Sequence, residues 1–416
     1  MTASAPAGWR YGLLGLPLAF VALPLYVNLP NFYAREFNVP LAALGAVLLG
    51  ARLFDAVLDP WIGAFVDKLF ARSTAAVLAM AAAAAIALAL GFAWLFFPQV
   101  RGTASLLAWA AAGLLVTYAA YSLLTVAHQS WGAMLGGDDA ARSRVFAWRE
   151  GLGLVGVLLA AVLPMLAGLP ATAAVLVATL IAGWWAWSRA QRPGPPSGHP
   201  VARDWLTPFR HAPFRRLLGV FLLNGIASAI PATLVLFFVQ DRLQAPAAQE
   251  PLFLGTYFLC AALSIPMWVR LVRHIGLART WLAGIVLAVA AFTAASLLRA
   301  GDANAFVAIC ALSGVALGTD LALPGALLAG VIAKAGLRGR GEGIFFGWWN
   351  FATKLNLALA AGVALPLLGI AGYAPGVRTP GALTALTLAY CLLPCILKSA
   401  AGALLYFNLI RRGGAL

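Results

Sequence analysis

The chain has 416 residues, of which 63% are hydrophobic and 10% charged, and its mean hydropathy is +0.91. A soluble domain of this length carries about a quarter of its residues as charges, so the composition excludes a globular soluble enzyme and reads as an integral membrane protein. The formal net charge of +15 is carried by basic loops and calls for no nucleic-acid partner.

Apolar runs long enough to cross about 30 Å of hydrocarbon recur over 11–33, 38–66, 73–97, 104–134, 146–168 and 171–188. They resume over 216–240, 251–272, 278–299, 303–333, 343–371 and 382–410. The fold class expected is an all-α membrane protein of about twelve transmembrane helices in two bundles of six. The first run is longer than a signal peptide, lacks a small-residue cleavage site and is punctuated by Pro17, Pro24 and Pro30, so it reads as a retained helix.

The second run contains "ARLFDAVLDPWIGAFVDK", with Arg52, Asp55 and Asp59 spaced three and four apart. At about 100° per residue they share one face within roughly 60° of arc. Each charge costs on the order of 2.5–3.5 kcal/mol at mid-membrane, so that face must look into protein or a wet cavity. Two stacked carboxylates suit a small monovalent cation or a proton, and a structural ion network is the plain alternative.

The fourth run, "VTYAAYSLLTVAHQSWGAML", carries Tyr118, Ser122, Thr125 and Gln129 along one stripe, flanked by Tyr121 and His128. Polar groups gather in a membrane helix at a helix contact or along a cavity. The stripe reads as lining a substrate cavity, although a lone His128 is more often a hydrogen-bonded helix-contact residue than a proton relay. Arg149 and Glu150 open the fifth run, as a gate pair, a substrate contact or a solvated pair. "GLGLVG" at 151–156 matches a dinucleotide fingerprint by spelling only; without a preceding strand its glycines are expected to serve helix packing.

The polar stretch "SRAQRPGPPSGHPVARDWLTPFRHAPFRR" separates the two groups of runs. It predicts an N-terminal bundle over 1–188, a linker over 189–215 and a C-terminal bundle over 216–416. In the second half Asp320 falls near the middle of the tenth run as an unpaired intramembrane acid, a functional position by default. The eleventh run, "FFGWWNFATKLNLAL", holds Asn350 and Lys354 on one face. Lysine is rare in this arginine-rich chain, so Lys354 is expected to pair with Asp55 or Asp59. Lys398 in the twelfth run is expected to snorkel to the surface. Cys260, Cys310, Cys391 and Cys395 all fall within runs, at spacings that suit neither a disulfide framework nor a metal site.

Basic residues cluster at Lys68 and Arg72, Arg142–Arg149, Arg189–Arg216, Arg270–Arg279, Lys334–Arg340 and Arg411–Arg412. The opposite loops hold Arg35, Arg101, Arg242, Arg299 and Arg378. The positive-inside rule then puts both termini in the cytoplasm. Pro24 and Pro231 are 207 apart, and Pro60 and Pro266 are 206 apart; this offset pairs the first and second helices of each half, as in transporters built from parallel repeats.

"RLFDAVLDPWIGAFVDK" resembles the helix 2 signature of the glycoside–pentoside–hexuronide:cation symporters, the major-facilitator group that includes melibiose permease. The resemblance covers essentially the whole chain. It implies that Asp55 and Asp59 build a sodium, lithium or proton site, with Arg52 and Lys354 in the charged network. Ser122 falls where a threonine joins the cation site, and Arg149 where an arginine contacts sugar. "GAFVDK" also fits the loop pattern G-x-x-x-D-[RK] through Gly63, Asp67 and Lys68. Departures are clear: helix 1 has no acid, Thr125 stands at the second acidic sugar position, Leu58 replaces an amide, and "AGVIAKAGLRGR" lacks an acidic cluster.

The expectation is therefore a monomeric transporter in the bacterial inner membrane. It would need no cofactor beyond Na⁺ or H⁺ as coupling ion, and would move a small solute, a sugar or glycoside by family default. A transporter or flippase of lysophospholipids or other amphiphiles is the alternative.

Overall fold

The structure, a computed structural model, describes residues 8–194 and 205–411. The predicted linker's stretch 195–204 and Arg412 lie outside them. Every long element is a helix: α1 Gly8–Phe37, α2 Leu41–Arg72, α3 Thr74–Phe96 and α4 Thr103–Met134. Asp139–Ser188 follows, then α7 Ala212–Arg242, α8 Glu250–Ile275, α9 Leu277–Ala295, α10 Ala303–Lys334, α11 Glu342–Ile370 and α12 Pro380–Ile410. Asp139–Ser188 is two helices, α5 (139–167) and α6 (169–188), because Gly168 at φ +76° reverses the chain. That backbone angle favours glycine. Among the described residues nine helical stretches are long and apolar enough to cross a membrane. Dividing Asp139–Ser188 and adding the charge-bearing α2 together with α11 completes twelve.

Prolines mark the irregular points. In α1 the N–H of Leu29 reaches back five residues to the carbonyl of Pro24, forming a wider turn. The apolar run expected as one helix over 303–333 breaks after Ala322 and restarts at Pro324, which has no N–H to continue the ladder.

Contacts divide the chain into two compact units, Met1–Pro208 with Ile332–Phe351, and Phe209–Val331 with Ala352–Leu416. The start of α11 therefore belongs to the first unit. There α1 lies against both legs of the α5–α6 hairpin. A Cβ on Gly12 would strike Trp148, one on Gly156 the carbonyl of Leu16, and one on Gly183 the backbone of Leu14. Gly156 of "GLGLVG" thus allows close helix packing, as expected. Trp131 and Trp187, both fully buried, meet edge to face at 5.3 Å. The face of α2 turned outward carries the exposed side chains of Leu53, Phe54, Val57, Trp61 and Phe65, an apolar surface of the kind a membrane helix turns to hydrocarbon. The acids of α2 point the other way.

In the second unit α8 packs on α10 through Trp268, whose indole donates to the carbonyl of Val315 at 2.7 Å. A glycine–threonine contact recurs in both units. Gly91 of α3 abuts Thr117 of α4, and Gly284 of α9 abuts Thr319 of α10.

Candidate functional site

Asp55 and Asp59 sit one turn apart on the inward face of α2, 3% and 0% exposed. Asp55 accepts a hydrogen bond of 2.8 Å from the Ser122 hydroxyl of α4. At Ser122 the polar stripe of α4 thus turns toward the acids of α2. Pro60 has no N–H, so the carbonyl of Ala56 loses its donor one turn later. Arg52 lies over the ring of Tyr26 at 4.0 Å, and Tyr26 in turn meets Tyr118 at 6.4 Å. Arg52 is thereby held beside the acids by a cation–π contact that sequence spacing does not reveal.

The rest of the stripe divides. Thr125 is buried and its hydroxyl has no hydrogen-bond partner among the described residues. Gln129 accepts from Asn350 of α11 at 2.9 Å, both side chains being buried. Two residues read as cavity-lining therefore satisfy one another. His128 does not line a cavity: it is fully buried, stacks on Tyr11 at 4.2 Å and bonds the Tyr11 carbonyl at 2.7 Å. The Tyr11 hydroxyl returns a bond of 2.8 Å to the His128 carbonyl. This reciprocal contact joins α1 to α4, and the apolar packing around it explains why a polar residue here is structural. Tyr121 is half-buried. Arg149 bonds its neighbour Glu150.

At the end of α2, one residue past its apolar run, Asp67 accepts from the backbone N–H groups of Gly343 (2.7 Å) and Ile344 (2.9 Å). A carboxylate at the N-terminus of α11 complements the helix dipole. Burial nevertheless dominates and raises the Asp67 pKa to about 8, opposed by those two bonds and reinforced by the nearby Glu342. The crossing of the helices is tight, since Gly63 abuts Gly343 and Gly347 abuts the backbone of Asp59 and Pro60.

In the second unit Asp320 departs from expectation, because it is not unpaired. Oδ1 accepts from Asn224 at 2.9 Å and from the Trp281 indole at 2.8 Å; Oδ2 accepts from Lys398 at 3.1 Å and from Ser228 at 3.3 Å. Lys398 is 3% exposed and also donates to Asn224 at 2.9 Å. It does not snorkel: a buried counter-ion holds its head in place of water. Asn224, Ser228 and Trp281 escaped the sequence reading, although a polar side chain in each of the seventh and ninth runs was the available signal.

The helical architecture and the exposed apolar face of α2 mark a multi-pass membrane protein, and its family match makes it a transporter of the major-facilitator type, not an enzyme. The chain belongs to the MFS/sugar transport protein family, whose model matches residues 10–412. No curated protein matches its sequence. It is similar in fold to a bacterial homologue of the iron transporter ferroportin in an outward-facing state (TM-score 0.69, 17% identity, 95% of this chain and 98% of that one). It is also similar to the major-facilitator transporter FucP in the outward conformation (0.67, 16%, 95% and 98%). A variant of the E. coli fucose:proton symporter matches at 0.65 with 15% identity over 95% and 98%.

Proposed function

We propose that this protein is a cation-coupled symporter, importing a small organic solute across the bacterial inner membrane with both termini in the cytoplasm. Asp55 and Asp59 take the coupling ion, Na⁺ or H⁺. The observation that carries the reading is the burial of two acids one turn apart on α2, with a neutral hydroxyl from Ser122 on the first. Carboxylate, hydroxyl and carbonyl oxygens are the ligands a hard monovalent cation prefers. The same groups can hold a proton, because burial disfavours two adjacent charges.

Coupling follows from electrostatics. Two ionised acids on one buried face resist passage through an apolar constriction, and a bound cation removes most of that penalty. Empty and doubly loaded carriers then move most easily, with the two bundles rocking about the site. Arg52 and Ser122 hold the pair in register. The family default for the solute is a sugar or glycoside, and membership of a family described by sugar transport supports that choice.

The test is the melting of the purified protein in NaCl, compared with choline chloride, from acidic to alkaline pH. A sodium- or proton-dependent stabilisation that disappears in Asp55→Asn and in Asp59→Asn supports the site. The same stabilisation retained in both variants removes it.

A further inference from the structure

Three tryptophans stack beside the crossing of α2 and the start of α11. Trp205, from the predicted linker, meets Trp61 of α2 and Trp348 of α11 at ring-centroid distances of 6.0 and 5.6 Å, with planes only 18° and 17° apart. The indole N–H of Trp348 donates to the carbonyl of Trp205 at 2.8 Å, and Thr207 and Pro208 just beyond are buried. Contacts accordingly assign the chain as far as Pro208 to the first unit. We propose that Trp205 is a positioning residue for the cation site, a strap from the linker that holds the start of α11 on α2. The inference rests on the reading of Asp55 and Asp59 as that site.

Sequence neighbours tie the stack to Asp59. Trp61 directly follows Pro60 and stands two residues from Asp59, and Trp348 directly follows Gly347. A Cβ on Gly347 would collide with the backbone of Asp59 and Pro60, and Gly63 meets Gly343 nearby. Glycines let two helix backbones approach closely, but they offer no side chain to interlock. Trp205 supplies that grip from beside the crossing, by touching a ring on each helix.

Exposure makes the strap releasable. Trp61 and Trp205 are 60% and 45% exposed, whereas Trp131 and Trp187 of the same unit are fully buried. Two ring stacks and one hydrogen bond are each weak interactions, so the strap biases the crossing and does not lock it. Exposed tryptophans in membrane proteins also serve as interfacial anchors. That role needs neither near-parallel rings nor an indole N–H bonded to a backbone carbonyl.

The experiment compares the full-length wild type with Trp205→Ala and Trp205→Phe, in detergent and in nanodiscs. Phenylalanine keeps a ring to stack, and both variants keep the carbonyl that accepts from Trp348. Hydrogen–deuterium exchange over 55–67 and 342–351 should quicken about tenfold in Trp205→Ala and return close to wild type in Trp205→Phe. The Na⁺ concentration giving half of the thermal stabilisation should rise about tenfold in Trp205→Ala, or the pH midpoint fall by about one unit where the ion is H⁺. The ion-free melting temperature should hold, and Trp205→Phe should restore the midpoint. Exchange unaltered by Trp205→Ala, equal effects of both variants, an effect confined to nanodiscs, or an unmoved ion midpoint would each overturn the proposal. A wild type that neither Na⁺ nor H⁺ stabilises, with exchange responding as expected, would instead remove the cation reading and leave Trp205 as a fastening of α11 to α2.

Discussion

The two units each bury acid in a membrane-spanning segment and treat it differently. On α2 two acids lie one turn apart, and Asp55 receives a neutral hydroxyl from Ser122. On α10 a single acid receives four donors from four residues, one of them the ammonium of Lys398. Burial of a charge therefore does not assign its role. The partners bear on it: four fixed donors make Asp320 an anchor, whereas the α2 pair is the site proposed here for a cation.

The largest expected effect tests the anchor. Lys398→Met strands Asp320 without its counter-charge and should cost about 3–5 kcal/mol, read as a fall in melting temperature in detergent. Adding Asp320→Asn to the same chain should recover most of that loss. Failure to recover would mean that the pair is not energetically coupled, and the contrast between the units would break.

The helix crossing beside the acid pair comes next. In Gly347→Leu the side chain collides with the backbone at Asp59 and Pro60, an overpacking worth about 1–3 kcal/mol. The response to sodium should weaken with it, since α11 is pushed from the site. An unchanged sodium response in a folded variant would show that this contact does not support the pair.

Asp67 is an intermediate case, a carboxyl met by two backbone N–H groups. Its folded-state pKa of about 8 lies above the ordinary value of 3.8. Between those values the folded protein keeps a proton that the unfolded chain releases, so stability falls as pH rises through that window. The slope is at most about 1.4 kcal/mol per pH unit. Melting curves of Asp67→Asn across the same range should lack this contribution, and an identical slope in both proteins would assign it elsewhere, with Glu342 the first candidate.

The smallest effect sharpens the comparison. Thr125→Val deletes a buried hydroxyl with no partner among the described residues. The cation-free protein should be unchanged or stabilised by up to about 1 kcal/mol. A simultaneous loss of sodium affinity, measured by titration, would place the hydroxyl among the ion's ligands; unaltered affinity would exclude it.

Much of the first site was legible before the fold. A spacing of three and four puts Arg52, Asp55 and Asp59 on one helix face, and the stripe through Ser122 follows from the same period. Less legible was how that stripe would be shared. Ser122 reaches Asp55, Gln129 turns to Asn350 and His128 is absorbed by Tyr11, because each meets a different neighbouring helix.

The sequence alone determined that the chain crosses the membrane in two groups of helices, and that one helix carries a charged face within it. Those properties depend on hydropathy and on the local helical period, which act over a few turns. Only the tertiary structure decided that Asp320 and Lys398 neutralise each other, and that Asp67 caps α11. These partners lie far apart along the chain, and hydropathy carries no record of which side chains packing will bring within hydrogen-bonding distance.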